Sequence, residues 1–149
     1  MENEKIKDYK QIKELDKILE PSNKVLKQLK NGFYRIIILW EVNKQPIHGY
    51  GLIKKIDEFY QKQIDAGILN KTSSSKIYPI LTQMEKDNIL EGYWSIKDNK
   101  NIKYYKITPL GVEMLKLIHF RFYQLGSNPI WKEFVNDMIL TEDLKEFKE

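Results

Sequence analysis

The stretch Thr72–Leu90, TSSSKIYPILTQMEKDNIL, reads as one short helix with two unlike faces. Ile77, Leu81, Met84 and Asn88, with Ile80 beside them, recur at the three- and four-residue spacing of a single helical face. Ser75, Tyr78, Thr82 and Lys86 fall on the opposite face. Ser73, Ser74 and Ser75 supply oxygens suited to capping a first turn, and Pro79 limits how far upstream regular helix begins, so the start is expected near Ser74 or Ser75. A polar face with open amides at its N-terminal end carries the donors needed to lie on a phosphate backbone and base edges. An ordinary capped amphipathic helix has the same periodicity, so the neighbouring segments decide between the two.

The chain of 149 residues is long enough for one domain with appended helices, and its 42% apolar and 31% charged content is that of a globular protein. No apolar run reaches the roughly 18 residues of a membrane span and no signal-peptide pattern opens the chain, which gives a cytoplasmic expectation. Without cysteine there are no disulfides, no thiolate metal sites and no cysteine nucleophile. His48 and His119 are the only imidazoles and lie far apart in sequence. Neither a metal site nor a cofactor is expected. The net charge of +4 is compatible with a nucleic-acid partner. Arg35 and Arg121 are the only arginines, so the positive charge is nearly all lysine, which suits point contacts to phosphate better than forked contacts to guanine. A biased genome would produce the same lysine-rich composition.

Upstream, Ile6, Tyr9, Ile12, Leu15, Ile18 and Leu19 form an apolar stripe in a charged background, predicting an amphipathic helix that ends before Pro21. The stripe needs a partner, either the body of the same chain or a second copy. A short helical segment with Val25, Leu26 and Leu29 is expected to stop at Asn31-Gly32. Phe33–Val42, FYRIIILWEV, is the most apolar segment and reads as a central buried helix. After a turn at Lys44–Pro46, Ile47-His48-Gly49-Tyr50 opens another helix with Leu52, Ile53, Ile56 and Phe59 facing inward, and a loop then runs to Ser73. His48 reads as a packing or capping residue.

Beyond Leu90 the period changes. Gly92–Ile96 and Ile102–Ile107 are aromatic and β-branched on either side of the polar run Lys97–Asn101, the pattern of a β-hairpin whose tip carries Lys97, Lys100 and Lys103. Those lysines suit a phosphate backbone, and suit solubility equally well. Thr108-Pro109 starts a helix through Met114, Leu115, Ile118 and Phe122 to Gly126. Asn128-Pro129 repeats the start signal, and Trp131, Phe134, Val135, Met138 and Ile139 follow on one face. That face is covered either by self-association or by folding back on its own domain.

Three helices, a hairpin and a further helix make the order of a winged helix-turn-helix, and the residues at its joints resemble the PadR family of transcriptional regulators. Gly32 with Ile36–Val42, Pro46-Ile47-His48-Gly49-Tyr50, Ile77-Tyr78-Pro79-Ile80-Leu81 with Met84-Glu85 and Asn88-Ile89, and Tyr105-Lys106-Ile107-Thr108 with Gly111 follow the family's motifs in order, covering about Gly32–Leu117. Asn88 stands where the family usually has glycine, which suits a left-handed backbone because asparagine tolerates it next best.

The resemblance implies a mainly α (α+β) fold, a winged helix-turn-helix with a two-stranded wing plus N-terminal and C-terminal helical extensions. Residues 1–30 would be the N-terminal extension, 31–108 the DNA-binding domain and 109–149 the C-terminal dimerisation region. It further implies a homodimeric repressor, not an enzyme, that reads double-stranded DNA with helix 75–88. Ser74, Ser75, Lys76, Tyr78 and Thr82, with Gln83, would contact DNA from that helix, Lys76 and Tyr78 on phosphate. Lys97, Lys100 and Lys103 would grip the backbone from the wing, and Trp131, Phe134, Val135, Met138 and Ile139 would form the dimer surface. Some family members take small aromatic or hydrophobic effectors, for which Trp40, Trp131 and Phe134 are candidate lining residues, although aromatics at helical spacing are more often core. A winged helix serving as a protein-interaction module is the alternative. Asp57, Glu58 and Glu85 read as solvated carboxylates, with no phosphate loop or nucleophile elbow beside them.

Overall fold

A computed structural model of the chain describes residues 2–20 and 22–144, with side chains from Lys10 onward. The side chains of Ile6 and Tyr9 and the stop signal at Pro21 lie outside the described residues. The chain divides into two compact units, Met1–Val112 and Glu113–Glu149.

In the first unit, helix α1 (Glu2–Leu19) precedes α2 (Lys24–Lys44). Asn23 caps α2, its Oδ1 accepting the amides of Val25 at 3.0 Å and Leu26 at 3.2 Å. Contrary to the expected break at Asn31-Gly32, α2 runs unbroken through it and through the expected domain boundary at 30–31. An interior glycine costs about 1 kcal/mol relative to alanine, which the buried turns that follow outweigh. Tyr34, Ile37, Ile38, Leu39 and Val42 are buried, whereas Phe33 and Trp40 are exposed, so FYRIIILWEV is buried on one side only. Lys44 Nζ lies 3.4 Å from the Trp40 ring centroid, a cation over an aromatic face.

Ile47-His48 does not open a helix. It forms a short strand, β1, whose Ile47 pairs with Tyr105 and His48 with Tyr104. Helix α3 (Gly49–Phe59) follows, burying Leu52, Ile53 and Ile56 but leaving Phe59 exposed, and α4 (Gln61–Asp65) occupies part of the expected loop. Asp57 is not merely solvated: its Oδ1 accepts the Thr72 amide at 2.8 Å and ties the loop to α3.

Helix α5 (Ser74–Lys86) starts where the serine run places it and buries Ile77, Ile80, Leu81 and Met84 against α3 and the sheet. Each such side chain contributes about 1.5–3 kcal/mol on burial. Pro79 lies within the helix, as its sixth residue. At the C-terminal end, Ile89 donates to the Met84 carbonyl at 2.9 Å and Asn88 to the Glu85 carbonyl at 3.0 Å, with Asn88 at φ 59°. This is the left-handed Schellman stop, and it turns Asn88 out to solvent.

Strands β2 (Leu90–Lys97) and β3 (Lys100–Ile107) form the wing, in register from Leu90 opposite Ile107 to Lys97 opposite Lys100. The tip is shorter than the polar run suggested: Asp98 and Asn99, at φ 53° and 61°, make a two-residue turn of the type that matches strand twist. With β1 added, the expected two-stranded wing is part of a three-stranded antiparallel sheet in the order β1-β3-β2. Ile47-His48 is too short for an alternating pattern to reveal it as a strand.

Thr108 Nα donates to the Ile89 carbonyl at 3.1 Å, while its hydroxyl lies 2.6 Å and 2.9 Å from the Asn88 and Ile89 carbonyls and accepts the Gly111 amide at 3.0 Å. The cap of helix α6 (Pro109–Leu125) thereby also holds the end of α5. In the second unit, the expected single helix after Asn128 is α-helical over Pro129–Val135 (α7) and π-helical over Asn136–Leu140. Trp131 and Phe134 stack with centroids 5.5 Å apart, and Phe134, Met138, Ile139 and Leu140 are exposed.

Candidate nucleic-acid interface

With the underside of α5 buried, its opposite side is presented to solvent. Ser74, Ser75, Lys76, Tyr78, Thr82 and Gln83 are all exposed. The serine run differs from expectation: Ser73 occupies the N-cap position, but its Oγ lies 3.0 Å from Ser75 Oγ and makes no cap bond to an amide. Thr82 Oγ1 donates to the Tyr78 carbonyl at 3.0 Å and Gln83 Nε2 to Asp87 at 3.0 Å, so both side chains are engaged within the helix in the free protein.

Tyr78 lies over the N-terminal end of α3. A Cβ placed on Gly49 would sit 2.7 Å from the Tyr78 Cε1 and hydroxyl oxygen, so the glycine of the His-Gly-Tyr run makes room for the tyrosine of the Tyr-Pro run. Two motifs distant in sequence are one contact in space. The obstructing atoms are the far end of a movable side chain. Gly49→Ala is therefore expected to keep the fold, with little change in melting temperature, while swinging Tyr78 aside and weakening duplex binding about thirtyfold, the loss of one contact in each of two protomers. Unchanged duplex affinity in that variant would remove Tyr78 from the interface.

Beside Tyr78 an open cleft of about 580 Å³ separates the start of α5 from the wing, with Tyr50, Trp94 and Lys103 also on its wall. Trp94 and Tyr50 are exposed there, and sequence reasoning missed both. Their signals were present: Tyr50 closes the Pro46–Tyr50 motif, and Trp94 alternates with Leu90 and Gly92 on the strand face that looks toward α5.

The three wing lysines are not equivalent. Lys97 and Lys100 flank the turn as a register pair and are exposed. Lys103 is not at the tip: it lies opposite Trp94 and pairs with Glu85 of α5 at 2.7 Å. The Glu85 hydrogen bond is the main cause that raises the Lys103 ammonium above its ordinary value, with burial opposing it. Glu85, expected to be solvated, thus braces the wing against α5, and Lys106 pairs with Glu91 at 3.5 Å on the opposite face. His48 packs between Tyr104, at 5.5 Å between centroids, and Tyr50, at 6.4 Å.

Lys76 faces away from the wing into a second cleft that also contains Lys30. Burial, and then the neighbouring Lys30 charge, lower its ammonium below the ordinary lysine value. Lys30 is itself raised: burial pulls it down, and the Glu20 carboxylate 3.1 Å away, together with Tyr34, more than offsets that. Among the described residues no group of three or more histidines, cysteines or carboxylates is placed to hold a metal, and no helix is long and apolar enough to cross a membrane.

Residues 38–117, more than half the chain and the part that contains α3, α5 and the wing, match the sequence model of the PadR-like transcriptional regulator family. The chain belongs to the PadR-like family. Solved structures carry the same fold. A PadR-like transcriptional regulator from Bacillus cereus is 25% identical and superposes with a TM-score of 0.56 over 78% of this chain and 99% of that one. A candidate transcriptional regulator from Thermoplasma acidophilum is 24% identical, with a TM-score of 0.56 over 78% and 99%. A PadR-like transcription factor from Bacteroides fragilis is 24% identical, with a TM-score of 0.54 over 76% and 97%. No curated protein matches by sequence. PadR-like proteins are transcriptional regulators with a DNA-binding winged-helix fold, and this chain is one of them.

Proposed function

We propose that the protein is a homodimeric repressor that reads the major groove of double-stranded DNA with α5 and holds the flanking phosphates with its wing. The observation that carries this reading is the division of α5: Ile77, Ile80, Leu81 and Met84 are locked into the core while the hydroxyls and amide of Ser74, Ser75, Tyr78, Thr82 and Gln83 stand on the free side. A recognition helix needs that arrangement, because rigid burial on one side fixes the register of donors on the other. Residues 31–108 serve as the DNA-binding domain, 1–30 as its extension and 109–149 as the dimerisation region.

Lys97 and Lys100 meet the backbone from the wing tip. Lys103 joins them only by exchanging Glu85 for phosphate. Lys76 reaches a phosphate at the start of α5, and Tyr50 and Trp94 flank the same strand from the cleft wall. In the second unit Trp131, Phe134, Val135, Met138 and Ile139 provide an apolar surface, mostly exposed in the single chain, for the second protomer. Two recognition helices in a two-fold dimer read half-sites about 34 Å apart.

The test is titration of a labelled duplex from the protein's own promoter region at several salt concentrations, against a scrambled duplex. Lys76, Lys97 and Lys100 from two protomers neutralise about six phosphates, so log affinity should fall with log salt at a slope of roughly −5. A genome-wide duplex selection that also yields no two-fold related sequence would leave the winged helix as a protein-interaction module.

A further inference from the structure

The cleft into which Lys76 points shares that one residue with the proposed DNA-reading face, and its chemistry is distinct. It encloses about 320 Å³ among the C-terminal half of α1, the middle of α2, the loop before α5 and the first turn of α5. Five lysines line it, Lys30 and Lys76 among them, against two carboxylates, Asp16 and Glu20. Glu20 is already committed to Lys30 at 3.1 Å. Among the described residues no carboxylate lies within ion-pairing distance of Lys76. Tyr34 and Tyr60 stand on the wall, and their rings meet edge to face with centroids 6.3 Å apart. A second, apolar cleft of about 270 Å³ adjoins it, shares Lys30 and Tyr60, and is walled by Leu29, Phe33 and Phe59.

We propose that this cleft binds a small organic phosphate monoester, its phosphate between Lys30 and Lys76 and its apolar part against Tyr60 and Phe33. Lys30 and Lys76 line one cleft in which Glu20 is already paired with Lys30, and an anion bridging the two ammonium groups relieves their mutual repulsion. The surplus of lysines calls for a ligand with more than one negative charge, and a phosphate monoester carries about −1.5 to −2 at neutral pH. Charge-assisted bonds from lysine are the strong kind in a partly enclosed site. The lowering of the Lys76 ammonium by burial and by Lys30 accords with a site that lacks its counter-charge. Because Lys76 belongs to the first turn of α5, ligand binding withdraws it from DNA. This regulatory consequence rests on the DNA-reading function proposed above; the binding site itself does not.

Calorimetric titration of the full chain with phenyl phosphate, at constant ionic strength and without DNA, tests the site. One saturable site per protomer is expected, weakened about tenfold in Lys30→Gln and measurably in Lys71→Gln, a cleft residue on the exposed loop. No saturable binding by the wild type, or binding that both variants leave unchanged, overturns the proposal. The second arm is duplex binding with and without phenyl phosphate. The ligand should weaken the wild type and spare Lys30→Gln, which without ligand should bind duplex as the wild type does. If Lys30→Gln alone weakens duplex binding, the cleft is a DNA phosphate site and the ligand proposal fails. If the wild type binds no duplex while calorimetry shows the lysine-dependent site, the DNA-reading proposal fails and the ligand site stands.

Discussion

Replacing Lys76 and Tyr78 together by alanine is expected to reduce affinity for the specific duplex roughly 1000-fold. A phosphate or base contact contributes about 1 kcal/mol at the low end, and two contacts in each of two protomers give about 4 kcal/mol, which is three decades. The fold should survive, because both side chains are on the exposed side of α5. Lys76 adds a sign that separates function from stability. Its folded-state value is lowered, by burial first and by Lys30 second. A base whose value falls on folding is penalised in its charged form, so the cost is present at neutral pH and disappears as pH rises through the interval up to the unfolded value. Removing the lysine removes that cost. Lys76→Ala alone should therefore leave the melting temperature at pH 7 unchanged or slightly higher while duplex affinity falls. A melting temperature that drops sharply would show that Lys76 is structural, and the assignment of its role in DNA binding would fail.

Gly111→Ala should destabilise the first unit by about 1–3 kcal/mol or more, seen as a lower denaturant midpoint with an unchanged slope. A Cβ on Gly111 would overlap the Ile89 carbonyl oxygen and come within 2.7 Å of the Ile107 side chain. Ile89 cannot retreat, because its carbonyl is held by Thr108 and its amide by Met84. The contrast with Gly49 is instructive. There the obstruction is the movable ring of Tyr78, and the expected loss is in binding; here it is backbone, and the expected loss is in folding. Equal stability of Gly111→Ala and wild type would mean that the junction between α5 and α6 is looser than its hydrogen bonds indicate.

Motif spacing identified the winged-helix order, and local chemistry placed several of its joints. The helical period of Ile77, Ile80, Leu81 and Met84 gave the buried side of α5. Asn88 declared a left-handed stop, because a short polar side chain tolerates positive φ. Thr108-Pro109 declared the start of α6. These signals lie within a few residues of the features they specify, so the chain alone carries them. The same holds for the absence of disulfide and thiolate chemistry, which follows from composition.

What tertiary packing decided is different in kind. Whether Asn31-Gly32 breaks a helix depends on the burial gained beyond it, and α2 continues. Ile47-His48 becomes a strand only because β3 is there to pair with it. Lys103 is drawn from the wing tip's company to Glu85, 18 positions away in sequence, and packing sets Lys76 in one cleft with Lys30, 46 positions away. Neither displacement is visible in the periodicity of its own segment. A residue's period states which side of its element it occupies. Its charge partners, and so what it is free to bind, are set by elements that meet only when the chain has folded, because the Coulomb energy of an ion pair depends on distance in space and the sequence specifies only distance along the chain.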